Sequence, residues 1–204
     1  MGWPSTLTYQ HLVARNVRRS VGILASYGDV DTAAAIFAAD PALADDPEAL
    51  ACAAGNGDEA FVRLMLRSQP DLARRIAVVA KSRELTELLF EHGMDPNHAN
   101  WLGITPLHRF AEQGNIENAA IFIDHGANLD ARDEEFCSTP LGYAAKYGRT
   151  RMVELLLQRG AKPDLPDDPP WARPLAWAKR RGHDEIVRLL TEYESSGMSS
   201  SFAR

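Results

Sequence analysis

Cysteine is scarce in this chain. Cys52 and Cys137 are the only two in 204 residues, too few for the disulfide framework that staples small secreted domains, and both are expected to be reduced in a cytoplasmic setting. Long apolar runs are missing too. Nothing approaches the roughly 18 uninterrupted apolar residues of a membrane span, so no membrane partner is expected. The start of the chain lacks the basic-then-apolar order of a secretory signal. Met1-Gly2-Trp3-Pro4-Ser5-Thr6 fits the myristoylation pattern in form, but bulky Trp3 and rigid Pro4 argue against its use. Positive charge is in deficit: 22 Lys and Arg stand against 28 Asp and Glu, a net charge of −6. That balance argues against non-specific nucleic-acid binding.

Motifs that carry chemistry are missing as well. There is no Gly-x-Ser-x-Gly, P-loop or dinucleotide fingerprint, so no catalytic residue and no cofactor are expected. The six histidines include no pair at zinc-site spacing, so no metal is expected either. His92 and His125 each precede a glycine and read as repeated surface positions; His98 falls in a turn. The acidic runs Asp45-Asp46, Asp133-Glu134-Glu135 and Asp167-Asp168 read as solvated turn residues rather than catalytic pairs.

What the chain does have is a fixed stride. Thr105-Pro106-Leu107-His108 is followed by Thr139-Pro140-Leu141-Gly142 and then Arg173-Pro174-Leu175-Ala176, each 34 residues after the last. Gly114, Gly148 and Gly182 keep the same step. Thr105 and Thr139 suit the position that caps a helix by accepting a backbone N–H. Pro106 and Pro140 then fill the first helical position, where no N–H is required. Leu107 and Ala111 share a face, four residues apart. Ile116, Ala119, Phe122 and Ile123 make an apolar stripe at helical spacing, and Met152, Val153, Leu155, Leu156 and Leu157 make a denser one. A helix pair of this size cannot bury its own apolar side, so neighbouring pairs must stack.

This pattern resembles the ankyrin repeat, a turn followed by Thr-Pro-Leu-His-x-Ala and two helices. The match is closest over 100–127 and extends through Leu155-Leu156-Leu157-Gln158-Arg159-Gly160-Ala161. The resemblance implies a mostly all-α solenoid of about six helix pairs. Full turns, the family's β-hairpin fingers, are expected only near 94–105, 127–139 and 161–173. The upstream pairs at 21–37 and 50–66, and a third at 76–80 and 84–90, lack the Thr-Pro-Leu motif and carry shorter turns around Asp40-Pro41 and Gln69-Pro70. A single domain over 1–194 is expected, with an N-terminal capping segment at 1–20, a C-terminal capping repeat at 174–194 and a flexible Ser-rich tail at 195–204.

The family's usual role implies a non-enzymatic scaffold, an adaptor or inhibitor, that binds another protein on a concave face and is monomeric alone. Carried over position by position, the finger tips are Trp101, Leu102, Ile104, Phe136 and Trp171. The exposed side of the first helices supplies Arg109, Glu112, Gln113, Tyr143, Lys146, Tyr147, Trp177, Arg180 and Arg181. Aromatic residues serve packing and recognition alike, so Trp101, Phe136 and Trp171 could fold back onto a neighbouring turn or meet a partner. Lys146, Lys179, Arg180 and Arg181 should make this face more positive toward its C-terminal end. The alternative is a structural module that self-associates or docks within a larger assembly.

Overall fold

The computed structural model describes residues 17–195, with side chains from 21 onward. The expected tail beyond Ser195, most of the N-terminal capping segment and the lipidation-like pattern fall outside these residues. The chain divides into two compact units, Met1–Asp95 and Pro96–Arg204, each considered by itself below. Among the described residues the structure is helical and has no strand.

The first unit holds α1 (Val17–Tyr27) with α2 (Val30–Ala39), α3 (Pro47–Asn56) with α4 (Glu59–Ser68), and a lone α5 (Arg83–Glu91). Helix α1 packs on α3 and α2 on α4, giving two layers. Caps set the helix starts: the carboxylates of Asp29, Asp46 and Asp58 accept the N–H of Thr32, Ala49 and Phe61 at 3.0–3.1 Å. The shortened turns hold 3₁₀ helices, Pro41–Ala44 and Leu72–Arg75. One sequence expectation fails here. Residues 76–80 are not helical, so α5 has no first-helix partner of its own. The segment is short, and with no cap at its start it cannot offset the cost of helix nucleation.

The second unit holds three helix pairs: α6 (Pro106–Gln113) with α7 (Ile116–Asp124), α8 (Pro140–Lys146) with α9 (Thr150–Gln158), and α10 (Pro174–Arg181) with α11 (Asp184–Ser195). The first helices form one layer in the order α6, α8, α10; the second helices form the other in the order α7, α9, α11. Leu107, Ala111, Phe122, Leu141, Ala144, Met152, Leu156 and Ile186 fill the space between them and are essentially sealed from solvent. Truncating one of the larger of these side chains costs about 2–5 kcal/mol through lost transfer energy and the cavity left behind. In α7 the core face is Ala119, Ile121 and Phe122, so Ile121 takes the inward place expected of Ile123.

The helix starts follow the stride with one difference. Thr139 Oγ1 accepts the N–H of Gly142 at 3.3 Å, as a cap should. Thr105 Oγ1 instead lies 2.8 Å from His108 Nδ1, because the ring offers an acceptor that Gly142 does not. Links between consecutive pairs also recur at the stride. Arg149 Nε donates to the Glu112 carbonyl at 2.9 Å. His183 Nε2 sits 3.3 Å from the Lys146 carbonyl, the same connection one pair later.

Candidate functional site

The site grows from the turns that precede the first helices of the second unit. In the earliest of these, Asn100 Oδ1 accepts the N–H of Leu102 and of Ile104, both at 3.0 Å. In the next, Asp133 takes over and accepts three: Glu135 and Phe136 on Oδ2 at 2.9 and 2.7 Å, and Ser138 on Oδ1 at 2.9 Å. Asp133 is buried, as is Asp168, whose Oδ1 lies 2.7 Å from Arg132 Nη2. These two acids are therefore structural and enclosed, not the solvated turn residues that their sequence context suggests. Five residues separate Asp133 from Ser138 where four separate Asn100 from Ile104. The extra residue is absorbed ahead of Cys137, which adopts φ 48° where Gly103 has φ 71°. Left-handed backbone suits glycine and strains a residue with a Cβ.

That insertion turns Phe136 inward and builds an aromatic box. The rings of Phe136 and Trp177 meet edge to face at 5.9 Å, and Phe136 and Tyr143 do so at 6.1 Å. The Lys146 ammonium stands 3.2 Å above the Phe136 centroid, 4.8 Å from Trp177, 5.3 Å from Tyr147 and 5.7 Å from Tyr143. Ring faces are electronegative and attract a cation, more strongly as water is withdrawn. Only 7% of Lys146 is exposed. Burial pushes its ammonium below the usual lysine range, Arg181 adds to that, and Glu135, Asp133 and Glu112 oppose it. Burial, then the Asp133 carboxylate, hold the Tyr143 phenol well above its ordinary value. Burial and the Glu112 carboxylate push the Tyr147 phenol up.

Tyr143 and Trp177, expected as outward contacts, are thus part of the interior, 3% and 5% exposed. Trp177 Nε1 donates to Ser138 Oγ at 2.8 Å, which fixes its ring. Phe136 is half-buried and Lys146 is enclosed with it. The residues that remain outward are Trp101 at 83%, Trp171 at 47% and Tyr147 at 38%, with Arg109, Gln113, Arg180 and Arg181 exposed and Leu102, Ile104 and Glu112 half-buried. Arg180 bridges the two groups: its Cζ lies 4.4 Å over the Trp177 ring, and its Nη2 donates to the Trp171 carbonyl at 2.9 Å. Trp101 makes no ring contact among the described residues. Ser138, Asp133 and Cys137 carry this arrangement and escape sequence reasoning. The one available signal for Ser138 is that Ala172, whose carbonyl it bonds, lies one stride away.

No group of His, Cys, Asp and Glu among the described residues is arranged to hold a metal ion, and no helix among them is long and apolar enough to cross a membrane. What the second unit presents is a layered helical repeat with aromatic and cationic side chains on one layer's turns and helix ends. Such a fold defines a class, the helical repeat proteins. Residues 75–167 match the family model for ankyrin repeats in three copies, which supports an ankyrin-repeat protein. Ankyrin repeats are generally protein–protein interaction modules. The chain is also similar to the potassium channel AKT1 of rice, in both the indica and the japonica subspecies, at 38% identity over 58 residues. That segment is 28% of this chain and only 6% of each channel.

Proposed function

We propose that the protein is a non-enzymatic scaffold, an adaptor or inhibitor, that binds a partner protein through the second unit. The contact surface comprises the turn tips and the exposed ends of the first helices, with the family's fingers as its edge. One observation carries this reading. Trp101, Tyr147 and Trp171 stay outward, whereas Phe110, Phe122, Tyr143 and Trp177 of the same unit are buried. Tryptophan and tyrosine are the side chains most often responsible for binding energy at such surfaces. A stable complex of this kind buries on the order of 1,600 Å² in total, and three helix pairs offer that area. The proposed setting is the cytoplasm, consistent with two unpaired thiols.

The test is a quantitative pull-down with the parent chain and a Trp101→Ala/Tyr147→Ala double variant. Proteins recovered by the parent and lost by the variant support the reading. Equal recovery by both overturns the placement of the surface. The alternative, a module that self-associates, draws on Ile23 and Tyr27, which are 56% and 85% exposed on the first unit. Light scattering separates the two: a mass that stays monomeric as concentration rises removes self-association.

A further inference from the structure

We propose that the corner formed by Arg180, Trp177 and Trp171 docks an acidic segment of the partner, a peptide stretch with an Asp or Glu beside a large apolar or aromatic side chain. This rests on the scaffold reading above and narrows it to a chemistry.

The guanidinium of Arg180 is held before any partner arrives. It lies 4.4 Å above the Trp177 ring, and one of its nitrogens is spent on the Trp171 carbonyl. Trp177 is itself buried and tied through Nε1 to Ser138 Oγ at 2.8 Å. An arginine presents five donors in a rigid fork that matches a carboxylate. Here the side chain is exposed, and among the described residues no carboxylate pairs with it. A side chain already held in this way loses less conformational freedom when it binds an anion.

The surroundings carry the same bias. Lys179 and Arg181 are exposed and lack an ion pair among the described residues. Two of the three acids of the last turn are already compensated, Asp168 by Arg132 at 2.7 Å and Asp164 by Arg173 at 3.1 Å, which leaves the exposed Asp167. The field of Arg181 reaches Lys146 and Tyr147: it works with burial against the Lys146 ammonium and opposes the rise of the Tyr147 phenol. Lys179, Arg180 and Arg181, three cations with no carboxylate partner among the described residues, make a positive corner on a chain of net charge −6, and complementary charge selects and orients an acidic partner. The half-exposed Trp171 ring supplies an apolar wall for the neighbouring side chain. Cations in the last turn of α10 also favour the helix dipole, but that role does not call for stacking Arg180 on Trp177.

The experiment selects binders from a randomised phage-displayed peptide library on the immobilised full chain, followed by titration of synthetic copies. The expected enrichment is Asp or Glu next to Trp, Phe or Leu. Affinity should fall on the order of tenfold or more in Arg180→Gln, as for loss of a charge-assisted hydrogen bond. It should fall partly in Arg180→Lys, which keeps charge but not the fork, and in Lys179→Gln/Arg181→Gln, which leaves the stack untouched. Circular dichroism confirms that each variant is folded. Enrichment of neutral or basic peptides, or of none, overturns the acidic-segment proposal. Acidic peptides that ignore Arg180 and Arg181 but are lost in Trp101→Ala/Tyr147→Ala overturn the corner and leave the scaffold reading standing. A labelled single-stranded oligonucleotide that binds more tightly than any selected peptide, dependent on Arg180, overturns it in favour of nucleic acid.

Discussion

The His108 ring reaches across to the Ser138 carbonyl, with Nε2 3.1 Å from the oxygen. On the other side of the ring, Nδ1 lies 3.2 Å from the Thr105 N–H. A backbone N–H can only donate and a carbonyl can only accept, so the geometry fixes the neutral tautomer with its proton on Nε2. Ser138 then repeats the connection with its own side chain: Oγ accepts from Trp177 Nε1 at 2.8 Å and shares its one proton between the Phe136 and Ala172 carbonyls, at 3.0 and 3.2 Å.

Removing the Ser138 hydroxyl therefore leaves two buried polar groups without a partner. Ser138→Ala is expected to lower stability by about 1–3 kcal/mol, read as a drop in the midpoint of urea unfolding. An unchanged midpoint would show that these bonds contribute nothing net.

Acid should weaken the second unit through His108. Burial pushes its pKa below the ordinary value, so the unfolded chain binds the proton more readily than the folded one. Stability contributed by this group is fully present above about pH 6.5, the unfolded pKa. It declines as pH falls from there toward the lower folded pKa, since the unfolded state takes up the proton first. Urea midpoints at neutral and mildly acidic pH should diverge more for the parent chain than for His108→Gln. Equal pH dependence in both would refute the assignment.

The left-handed backbone at Cys137 ranks its substitutions. Glycine relieves the strain of φ 48°, asparagine tolerates it, and a β-branched side chain worsens it. Thermal unfolding should give Cys137→Gly as the most stable, Cys137→Asn between, and Cys137→Val the least, with roughly 2 kcal/mol separating the extremes. A valine variant as stable as the parent contradicts the conformation.

Lys146 and Phe136 should be energetically coupled. A double-mutant cycle with Lys146→Met and Phe136→Leu keeps most of the apolar volume and removes the cation over the ring. The coupling expected at this enclosed position is about 1–2 kcal/mol. Additive single effects would mean that the ammonium is held only by its stem.

The helices of the second unit were legible because three signals repeat together: proline at the first helical position, a leucine one residue on, and a glycine at the end. Each acts locally, so spacing alone reveals it. The aromatic box was not legible. Phe136, Tyr143, Lys146 and Trp177 sit in two consecutive repeats, and which way a ring turns depends on one added residue between Asp133 and Cys137. The same limit applied to the acids, since Asp133 looks like any turn carboxylate until its three N–H donors are seen. Outside the clear copies, residues 76–80 show that an apolar stretch without caps does not declare its conformation. Arg180 and Arg181 were readable as charges, but the stack of Arg180 on Trp177 depends on a ring held by Ser138 from the neighbouring turn.

The different ways in which successive pairs are tied bear on how the chain can be rebuilt. At position 142 a Cβ would come within 3.2 Å of Ser138 Cβ and 3.5 Å of the Ala172 oxygen, the acceptor already claimed by the serine. A histidine copied there from the first pair would compete with Ser138 for one oxygen and one space. The pairs are therefore not interchangeable parts. A shuffled, duplicated or averaged version of this array must exchange residues 138 and 142 together, or it will join two modules whose fasteners do not match.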